Sequence, residues 1–486
     1  MLFNSYAFIF LFLPITLLIY FGLNKWKLIR ASILWLIFAS LVYYGWWNPK
    51  YVLLIIGSVL FNYIVGTLLR RNKEAGRLKR KSLLIAGISG NLLLLGYFKY
   101  ADFFISNFNS LLHSQVPLLR IALPVGISFF TFTQIAFLVD AHRGEAEEYA
   151  FPIYALFVSF FPYLLSGPII HHREVTTQYR YLRNKLFDYR NITVGLYLFF
   201  IGLFKKVVIA DSLSGWVGNG FDQAATLPLV EAWVVSLSYT LQLYFDFSGY
   251  TDMAIGAARM FNINLPINFN SPYRSLNIQE FWRRWHITLG RFVRDYIYIP
   301  LGGSRISGVR TYLNLMIAFF VIGLWHGAGW TFIFWGCLHG GALVIHRLWR
   351  KLNIEMPRFL AWLITFNFVN GAWIFFRAKT FGDAMKVLRG MIGMNGIVLP
   401  ENLAGRLRGF QAYGVRFGQW LGDIGGDEKT ILVVLIVLLL SLVYRNSNEM
   451  VVRFKPNFLH LIFVCAAAVV SVLYLGRYSE FLYFRF

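Results

Sequence analysis

Long apolar runs recur along the whole chain and constrain its fold more than any other feature. A helix needs about 20 residues to cross about 30 Å of hydrocarbon. Runs close to that length lie near residues 6–24, 31–48, 51–69, 82–100, 121–140, 150–166, 191–211, 228–247, 311–325, 329–346, 359–376, 430–444 and 459–476. Hydrophobic residues make up 57% of the sequence and charged residues only 14%. The pattern therefore predicts an all-α, multi-pass membrane protein embedded in a lipid bilayer.

The basic residues predict how the chain is oriented in the membrane. Lys and Arg number 46 against 23 Asp and Glu, an excess that is typical of cytoplasmic loops and gives no reason to expect a nucleic-acid partner. The loop RRNKEAGRLKRK at 70–81 is predicted to be cytoplasmic, which places the N-terminus outside. The basic stretch 171–185, where His171 and His172 are interpreted as solvated, would fall outside if every intervening run crossed. We therefore expect one segment within 82–166 to be re-entrant or buried in protein.

The chain is predicted to form one membrane domain over residues 1–486. A more polar, Gly-rich stretch at 377–429 is predicted to be an extramembrane loop within that domain, with a short helix at 381–388. The two cysteines, Cys337 and Cys465, both lie in apolar runs. They are interpreted as packing residues rather than a disulfide or a metal pair, and no metal site is predicted.

The segment GLWHGAGWTFIFWGCLHG at 323–340 places His326 near the end of an apolar run. An ionisable side chain at membrane depth is costly and is therefore a candidate functional residue. The glycines around it allow another helix or an acyl chain to approach the backbone closely. The alternative is a neutral structural histidine bonded across two helices. That packing role is favoured for the second histidine of the segment, His339.

Residues 270–310 are too polar to cross lipid. Within them, the segment FWRRWHITLGRFVRDYIYIPLGG at 281–303 is predicted to contain one amphipathic helix that is membrane-embedded or interfacial. Its aromatic side is formed by Phe281, Trp285, Thr288 and Phe292. Its opposite side is formed by Arg283, Arg284, Arg291 and Arg294, and the edge between the two sides by His286. Guanidinium groups suit phosphate oxygens, so the arginine side is predicted to bind either a phosphorylated ligand or anionic lipid headgroups.

A further polar cluster lies at the end of an apolar run in LYFDFSGYTDMAIG, residues 243–256. Asp246 and Asp252 flank Ser248 and Tyr250. This spacing fits either a polar site or a break between two helices, with Ser248 and Asp252 as the capping residues.

Four ordered motifs together resemble the membrane-bound O-acyltransferase family, and more closely its bacterial branch that O-acetylates alginate. They are the three segments above and FFPYLLSGPI at 161–170, and the similarity extends over nearly the whole chain. The resemblance implies a fold of about 11–13 transmembrane or re-entrant helices around a central tunnel. It also implies that His326 matches the family's catalytic histidine and that His286 matches the second polar position of the preceding motif.

The resemblance implies a reaction in which an acyl group crosses the bacterial inner membrane. The expected donor is cytoplasmic acetyl-CoA, with no permanently bound cofactor, and the expected product is an O-acetylated exported polysaccharide, alginate before others. Such transfer needs a base for the hydroxyl proton and a site that excludes water. His326 would be the base, while His286 would either orient the donor or polarise its carbonyl. The four arginines would hold the donor's phosphates, and the tunnel or substrate residues would be Trp285, Trp325, Asp246, Tyr250 and Asp252.

The chain ends in EFLYFRF at 480–486, which resembles a C-terminal aromatic motif of related acylation systems. The resemblance implies that Tyr483 accepts the acyl group as an ester and passes it to a separate extracytoplasmic SGNH-type acetyltransferase. The bare sequence, without the resemblance, favours an interfacial aromatic anchor that ends the last helix. Alternatives within the family are transfer to peptidoglycan, cellulose or teichoic acid, including D-alanyl transfer. Outside the family, intramembrane His and Asp residues fit a transporter or flippase.

Overall fold

A computed structural model describes residues 1–71, 77–476 and Leu482 of the chain. The apolar runs form helices, because backbone groups that face hydrocarbon must be paired within their own segment. The first half contains α1 Leu13–Lys25, α2 Ile29–Gly45, α3 Lys50–Arg71, α4 Arg77–Leu95, α5 Ala101–Leu112, α6 Ile127–Arg143, α7 Phe151–Ser159, α8 Phe161–Leu164, α9 His172–Arg180, α10 Tyr189–Phe204 and α11 Asp211–Gly218. The second half contains α12 Leu229–Met260, α13 Ile278–Arg284, α14 Ile287–Val293, α15 Gly308–His326, α16 Trp330–Trp349, α17 Arg358–Arg377, α18 Phe381–Met391, α19 Ala404–Leu407, α20 Glu428–Val443, α21 Ser447–Val452 and α22 Phe458–Tyr474.

Six helical segments in the described residues are long and apolar enough to cross a membrane. They are Ala7–Lys25, Lys50–Arg71, Leu78–Leu112, Tyr189–Gln223, Gly308–His326 and Arg358–Arg377. Some are continuous only through π-helical turns, among them Gly96–Tyr100 between α4 and α5 and Lys205–Ala210 between α10 and α11. The prediction of an all-α, multi-pass membrane protein is confirmed, apart from one small pair of strands.

The longest helix, α12, lies inside the helical bundle and is buried along most of its length. It crosses α10 closely, because glycines face each other: a methyl group on Gly202 would lie 2.5 Å from Gly249 O. The predicted alternative of a capped break near Ser248 and Asp252 is wrong. Asp252 Oδ2 instead accepts a hydrogen bond from Lys205 Nζ at 2.7 Å, so it binds a neighbouring segment and the helix continues.

Residues 151–164, which form α7 and α8, are a buried segment within the range where the charge pattern predicts a re-entrant or buried one. Both helices are buried almost throughout. Tyr149 Oη and His172 Nδ1 lie 2.8 Å apart, so the residues before and after this segment lie side by side. Arg80 donates a hydrogen bond to His142 O at 2.6 Å, which places the start of α4 beside the same region. The expectation of a re-entrant or buried segment is confirmed.

The predicted single amphipathic helix across residues 281–294 is wrong, because two short helices, α13 and α14, meet there at His286. His286 has a left-handed backbone conformation with φ of 44°. The first N–H groups of α14 find acceptors outside the helix: Ile287 N donates to Asn268 O at 3.0 Å, and Thr288 N donates to Asn268 Oδ1 at 3.2 Å. These bonds begin a new helix after His286, so the His286 side chain does not follow the helical direction of α13.

The polar stretch 377–429 begins with α18, so the predicted short helix there is confirmed. Thr380 and Asp383 form a capping box at its start. After it, strands β1 Ile397–Pro400 and β2 Val415–Gly418 pair in parallel. At the other end of the chain, Leu482 is buried, while Tyr483 lies outside the described residues.

Candidate active site

His326 is the last residue of α15 and lies beside the crossing of α15 and α16. The crossing is close because a glycine lines it: a methyl group on Gly323 would lie 2.5 Å from Phe332 O. The nearest ring centroids to the His326 imidazole, at 4.9, 5.0 and 5.2 Å, are those of Trp325, Phe376 and Trp335. Its Nε2 atom is buried and has no hydrogen-bond partner in the described part of the chain. This nitrogen is therefore not used in a bond between two helices.

His286 is oriented by Asn268, which lies in the loop between α12 and α13. Asn268 Oδ1 accepts hydrogen bonds from the backbone N and the Oγ1 of Thr288, and it lies 3.1 Å from His286 Nδ1. Because this oxygen already accepts from a backbone N–H, Nδ1 of a neutral His286 is the donor. Nε2 of His286 then carries the lone pair. That nitrogen is also buried without a partner among residues 1–71 and 77–476.

The two histidines form a pair of imidazoles with unused ring nitrogens. Their ring centroids lie 6.4 Å apart, and Trp325 contacts both rings, at 4.9 Å from His326 and 6.0 Å from His286. Neutral imidazoles near each other in an aromatic pocket can accept a proton from one reacting group and hold a second group by hydrogen bonding. Exclusion of water protects a reactive acyl group from hydrolysis. The geometry therefore suits acyl transfer.

Comparison with known families decides the class of protein. The model of the MBOAT, membrane-bound O-acyltransferase family, matches residues 93–382, a range that includes both histidines. The chain belongs to the membrane-bound O-acyltransferase family. The family resemblance of the four motifs is confirmed, and the protein is an acyltransferase.

The proteins to which the chain is similar have names that give different acceptors for the acyl group. The chain is 45% identical to the peptidoglycan O-acetyltransferase of Helicobacter pylori, over 100% of this chain and 98% of the relative. It is 40% identical to the probable alginate O-acetylase AlgI of Pseudomonas aeruginosa, over 85% and 78% of the two chains. It is 28% identical to the teichoic acid D-alanyltransferase of Bacillus subtilis, over 53% and 69%. Acyl transfer is common to all three names, whereas the acceptor is not.

Trp325 and Trp285 were both predicted to line the tunnel of this O-acyltransferase. They pack against different groups of rings. Trp325 contacts both histidine rings directly. Trp285 stacks on Phe281 with ring centroids 5.7 Å apart, and its centroid lies 4.8 Å from that of Trp373. Trp325 is therefore part of the wall of the histidine pocket, and Trp285 supports the aromatic layer on the α13 side.

The polar residues of α12 are engaged in buried contacts between helices. Lys206 Nζ lies 2.6 Å from Asp246 Oδ1 and 2.6 Å from Asp211 Oδ1, and all three side chains are buried. Asp252 pairs with Lys205. Tyr250 lies with its Oη 3.4 Å from that of Tyr43. These contacts join α12 to α2 and to the segment after α10, and a role for these residues toward substrate stays a prediction.

The four arginines do not share one helical face, because the helix breaks at His286. Three of them contact carboxylates: Arg284 pairs with Glu280 at 2.8 Å, Arg291 with Glu174 at 2.5 Å, and Arg294 with Asp295 at 2.7 Å. Arg283 is exposed and forms no ion pair within the described ranges. Their predicted role as ligands of the donor's phosphates stays a prediction.

The interpretation of His172 as solvated is wrong, because it is buried in a polar cluster with Asp140. His172 Nε2 and Tyr296 Oη lie 3.1 and 2.9 Å from Asp140 Oδ2. His171 is largely covered too, with its Nδ1 3.1 Å from Tyr296 Oη. The Asp140 carboxylate at the end of α6 therefore joins α9 to the segment after α14. The basic residues of 171–185 had suggested a solvated loop instead.

Replacing Asp140 with asparagine is expected to lower the free energy of unfolding by about 1.5–3 kcal/mol, since the donors around it lose a charged acceptor. Thermal and denaturant unfolding in detergent measure the change. Glu145→Gln is the matched control, because Glu145 pairs with Arg173 on an exposed surface, where such pairs contribute about 0–1 kcal/mol. Equal effects of the two substitutions would contradict a structural role for the Asp140 cluster.

Two residues at the site lie outside the four motifs but have recognisable signals in the sequence. Lys99 is a basic residue inside the apolar run 82–100, and such a residue is a functional candidate. It donates hydrogen bonds to the backbone beside His326. Asn268 had a weaker signal, because it is one of two asparagines in the loop INFNSP, and only the folded chain shows that it orients His286.

Replacing Asn268 with leucine is expected to lower the acyl-transfer rate by about a hundredfold, because His286 loses the acceptor that fixes its ring and a small displacement of a catalytic group has an effect of that size. Asn268→Asp is the matched variant, since it keeps acceptor oxygens of similar shape and should retain more activity. Rates measured on membranes containing equal amounts of each folded protein test this. A leucine variant as active as wild type would contradict the proposed orientation of His286.

Proposed function

We propose that this chain moves an acetyl group from cytoplasmic acetyl-CoA across the bacterial inner membrane for O-acetylation of an exported glycan. The observation that carries the proposal is the pair of buried histidines, each with an Nε2 atom that has no partner in the described residues. The proposed orientation has the N-terminus outside. It rests on the basic residues of loop 70–81 and on the return of the chain at His172.

The proposed chemistry assigns a different task to each histidine. Nε2 of His326 takes the proton of the attacking hydroxyl group as its oxygen bonds to the thioester carbonyl carbon. The tetrahedral intermediate then collapses, the carbon–sulfur bond breaks, and the proton passes from His326 to the departing thiolate. His286 accepts a hydrogen bond at Nε2 and orients the group that donates it. The aromatic rings around His326 keep water from the acyl carbon.

Arg283 is the first candidate among the four arginines for a contact with the phosphates of acetyl-CoA. It is exposed and has no carboxylate partner in the part of the chain that the structure describes. Guanidinium groups bind phosphate oxygens through paired N–H donors. Arg284, Arg291 and Arg294 would have to share or release their carboxylates to bind the same ligand.

Peptidoglycan is the acceptor glycan that we propose first. Its support is the 45% identity to a protein named peptidoglycan O-acetyltransferase, over essentially the full length of both chains. Alginate is the second candidate, supported by 40% identity over 85% of the chain to a protein named a probable alginate O-acetylase. Mass spectrometry of muropeptides from a strain that lacks the gene tests the choice. Loss of muropeptide O-acetyl groups, restored by wild type but not by His326→Ala, supports peptidoglycan. Unchanged muropeptides with loss of acetate from an exported polysaccharide support the second candidate.

We also propose that Tyr483 relays the acetyl group to a separate SGNH-type acetyltransferase outside the membrane. A phenol is a weak nucleophile near neutral pH until a base takes its proton, and the resulting ester is reactive enough to pass its acyl group on. Isotopically labelled acetyl-CoA and mass spectrometry of the C-terminal peptide test this. Label on Tyr483 in wild type that is absent in His326→Ala supports the relay. Glycan acetylation that persists in Tyr483→Phe would leave the motif as a membrane anchor.

A further inference from the structure

Lys99 and Tyr100 hold the last turn of α15, the turn that carries His326. Both lie in the π-helical turn between α4 and α5. Lys99 Nζ donates hydrogen bonds to Trp325 O at 2.5 Å and to His326 O at 3.2 Å. Tyr100 Oη donates one to Leu324 O at 2.7 Å. Two successive residues therefore bind three successive carbonyl groups at the end of α15.

These carbonyl groups need donors from outside their own helix. The last four C=O groups of an α-helix have no intrahelical partner. After His326 the chain becomes extended at Gly327, whose φ is −160°, so no further turn supplies donors. Neutral Tyr100 satisfies one carbonyl group without any charge. A hydroxyl group has one donor, whereas the amino group of Lys99 bonds two of these carbonyl groups.

The ammonium group of Lys99 has no acidic partner within the described ranges. Asp102, the nearest carboxylate along the chain, accepts instead from two backbone N–H groups of the loop after α5, at 2.7 and 2.9 Å. The other contacts of Lys99 Nζ are Ser128 Oγ at 3.4 Å and the ring of Trp325, whose centroid is 5.9 Å away. An ionisable group kept inside a membrane protein without a counter-ion is costly and is a candidate functional residue.

The turn that contains Lys99 is itself uncommon. In an α-helix adjacent residues point about 100° apart, so they do not both face one partner. Lys99 and Tyr100 nevertheless both reach α15 from this π-helical turn. Isolated π turns occur frequently at functional sites. Lys99 and Gly327 also line one cavity of about 270 Å³, which opens beside the backbone of His326.

We propose that Lys99 is a positioning residue for acyl transfer, because it fixes the peptide groups on both sides of the His326 α-carbon. The inference rests on the proposed role of His326 as the base. The positive charge suits the end of α15, where the helix dipole is negative. With these bonds in place, His326 keeps its position when substrate enters the adjacent cavity. Without them, the last turn of α15 is free to fray and the imidazole moves away from the acyl carbon.

Lys99→Met tests the proposal, because methionine has a similar length and no donor. We expect its kcat to fall roughly ten- to hundredfold with little change in the KM for acetyl-CoA, since displacement of a catalytic group affects turnover more than binding. Lys99→Arg should recover most of the turnover, because it keeps the charge and the donors and the cavity has room for its larger head. Lys50→Met, at an exposed lysine, is the matched control and should behave as wild type. Tyr100→Phe removes one neutral bond and should have a smaller effect than Lys99→Met.

His326→Ala measured in parallel separates the two claims. Activity in His326→Ala would overturn the role of His326 as the base. An inactive His326→Ala together with a fully active Lys99→Met would overturn the role of Lys99 alone. The role of Lys99 would also be overturned if the kcat of Lys99→Met fell only in proportion to its loss of folded protein. Monodispersity and thermal unfolding measure the folded fraction. Should Lys99→Met not fold, the same comparison of kcat with folded fraction is made with Lys99→Gln, which removes the charge and shortens the side chain. A kcat per folded molecule equal to wild type would then overturn the role of Lys99.

Discussion

Replacing His326 with alanine is expected to lower the acyl-transfer rate by about 10²–10⁴-fold, the range typical of losing a general base. The reason is that Nε2 of His326 is buried with no hydrogen-bond partner in the described residues, so it is available to take the hydroxyl proton. Release of thiol from acetyl-CoA by membranes containing equal amounts of folded protein measures the loss. The Km for acetyl-CoA should change little.

His339→Ala is the matched control for this prediction. His339 is buried on the next helix, and its Nε2 also has no partner in the described residues. Unlike His326, it has a hydrogen bond between helices: its Nδ1 accepts from Trp282 Nε1 at 3.2 Å, which joins α16 to α13 as the sequence predicted. Its replacement should lower thermal stability and leave the rate per folded molecule within about tenfold of wild type. Full activity of His326→Ala, or an equal loss of rate in both variants, would contradict the assignment of His326 as the base.

Replacing Lys206 with methionine is expected to lower the free energy of unfolding by about 3–5 kcal/mol, the range for breaking a buried ion pair by removing one partner. Lys206 Nζ lies 2.6 Å from carboxylate oxygens of both Asp211 and Asp246, and its side chain is 1% exposed. Without the lysine, two carboxylates stay buried without the cation that they share. Unfolding of the purified protein in detergent, followed by heat or denaturant, measures the effect.

A triple variant tests whether the uncompensated charge is the cause. Lys206→Met combined with Asp211→Asn and Asp246→Asn removes the cation and both anions, and it should recover much of the lost stability. Arg173→Met is the control at an exposed pair, where about 1 kcal/mol or less is expected. If Lys206→Met destabilised the protein no more than Arg173→Met does, the buried ion pairs would not be central to the fold.

The membrane-spanning helices could be predicted from the sequence because the cause acts locally. An apolar run of sufficient length must pair its own backbone groups, whatever surrounds it. The same local logic marked His326 as a candidate, since an ionisable group in such a run is unusual. The buried segment within 82–166 was predicted from charge alone, because the basic loop 70–81 and the basic stretch 171–185 are both expected on the cytoplasmic side.

Three predictions were wrong because a residue far along the chain supplies a hydrogen-bond partner. The break at His286 depends on Asn268, which supplies acceptors to the first N–H groups of α14 from another loop. The continuity of α12 depends on Lys205, which binds Asp252 from a neighbouring segment. His172 looked solvated because its acceptor, Asp140, is 32 positions away in the chain. Helical periodicity contains no information about such partners.

One measurement tests the central claim that acetyl groups pass from acetyl-CoA to an exported glycan through the site at His326. Permeabilised cells that contain either wild type or His326→Ala are supplied with isotopically labelled acetyl-CoA, and base-labile label on muropeptides is measured by mass spectrometry. We expect labelled O-acetyl groups in wild type and background levels in the variant at equal protein abundance. Equal labelling in both, or acetyl groups in wild type that carry no label from acetyl-CoA, would contradict it.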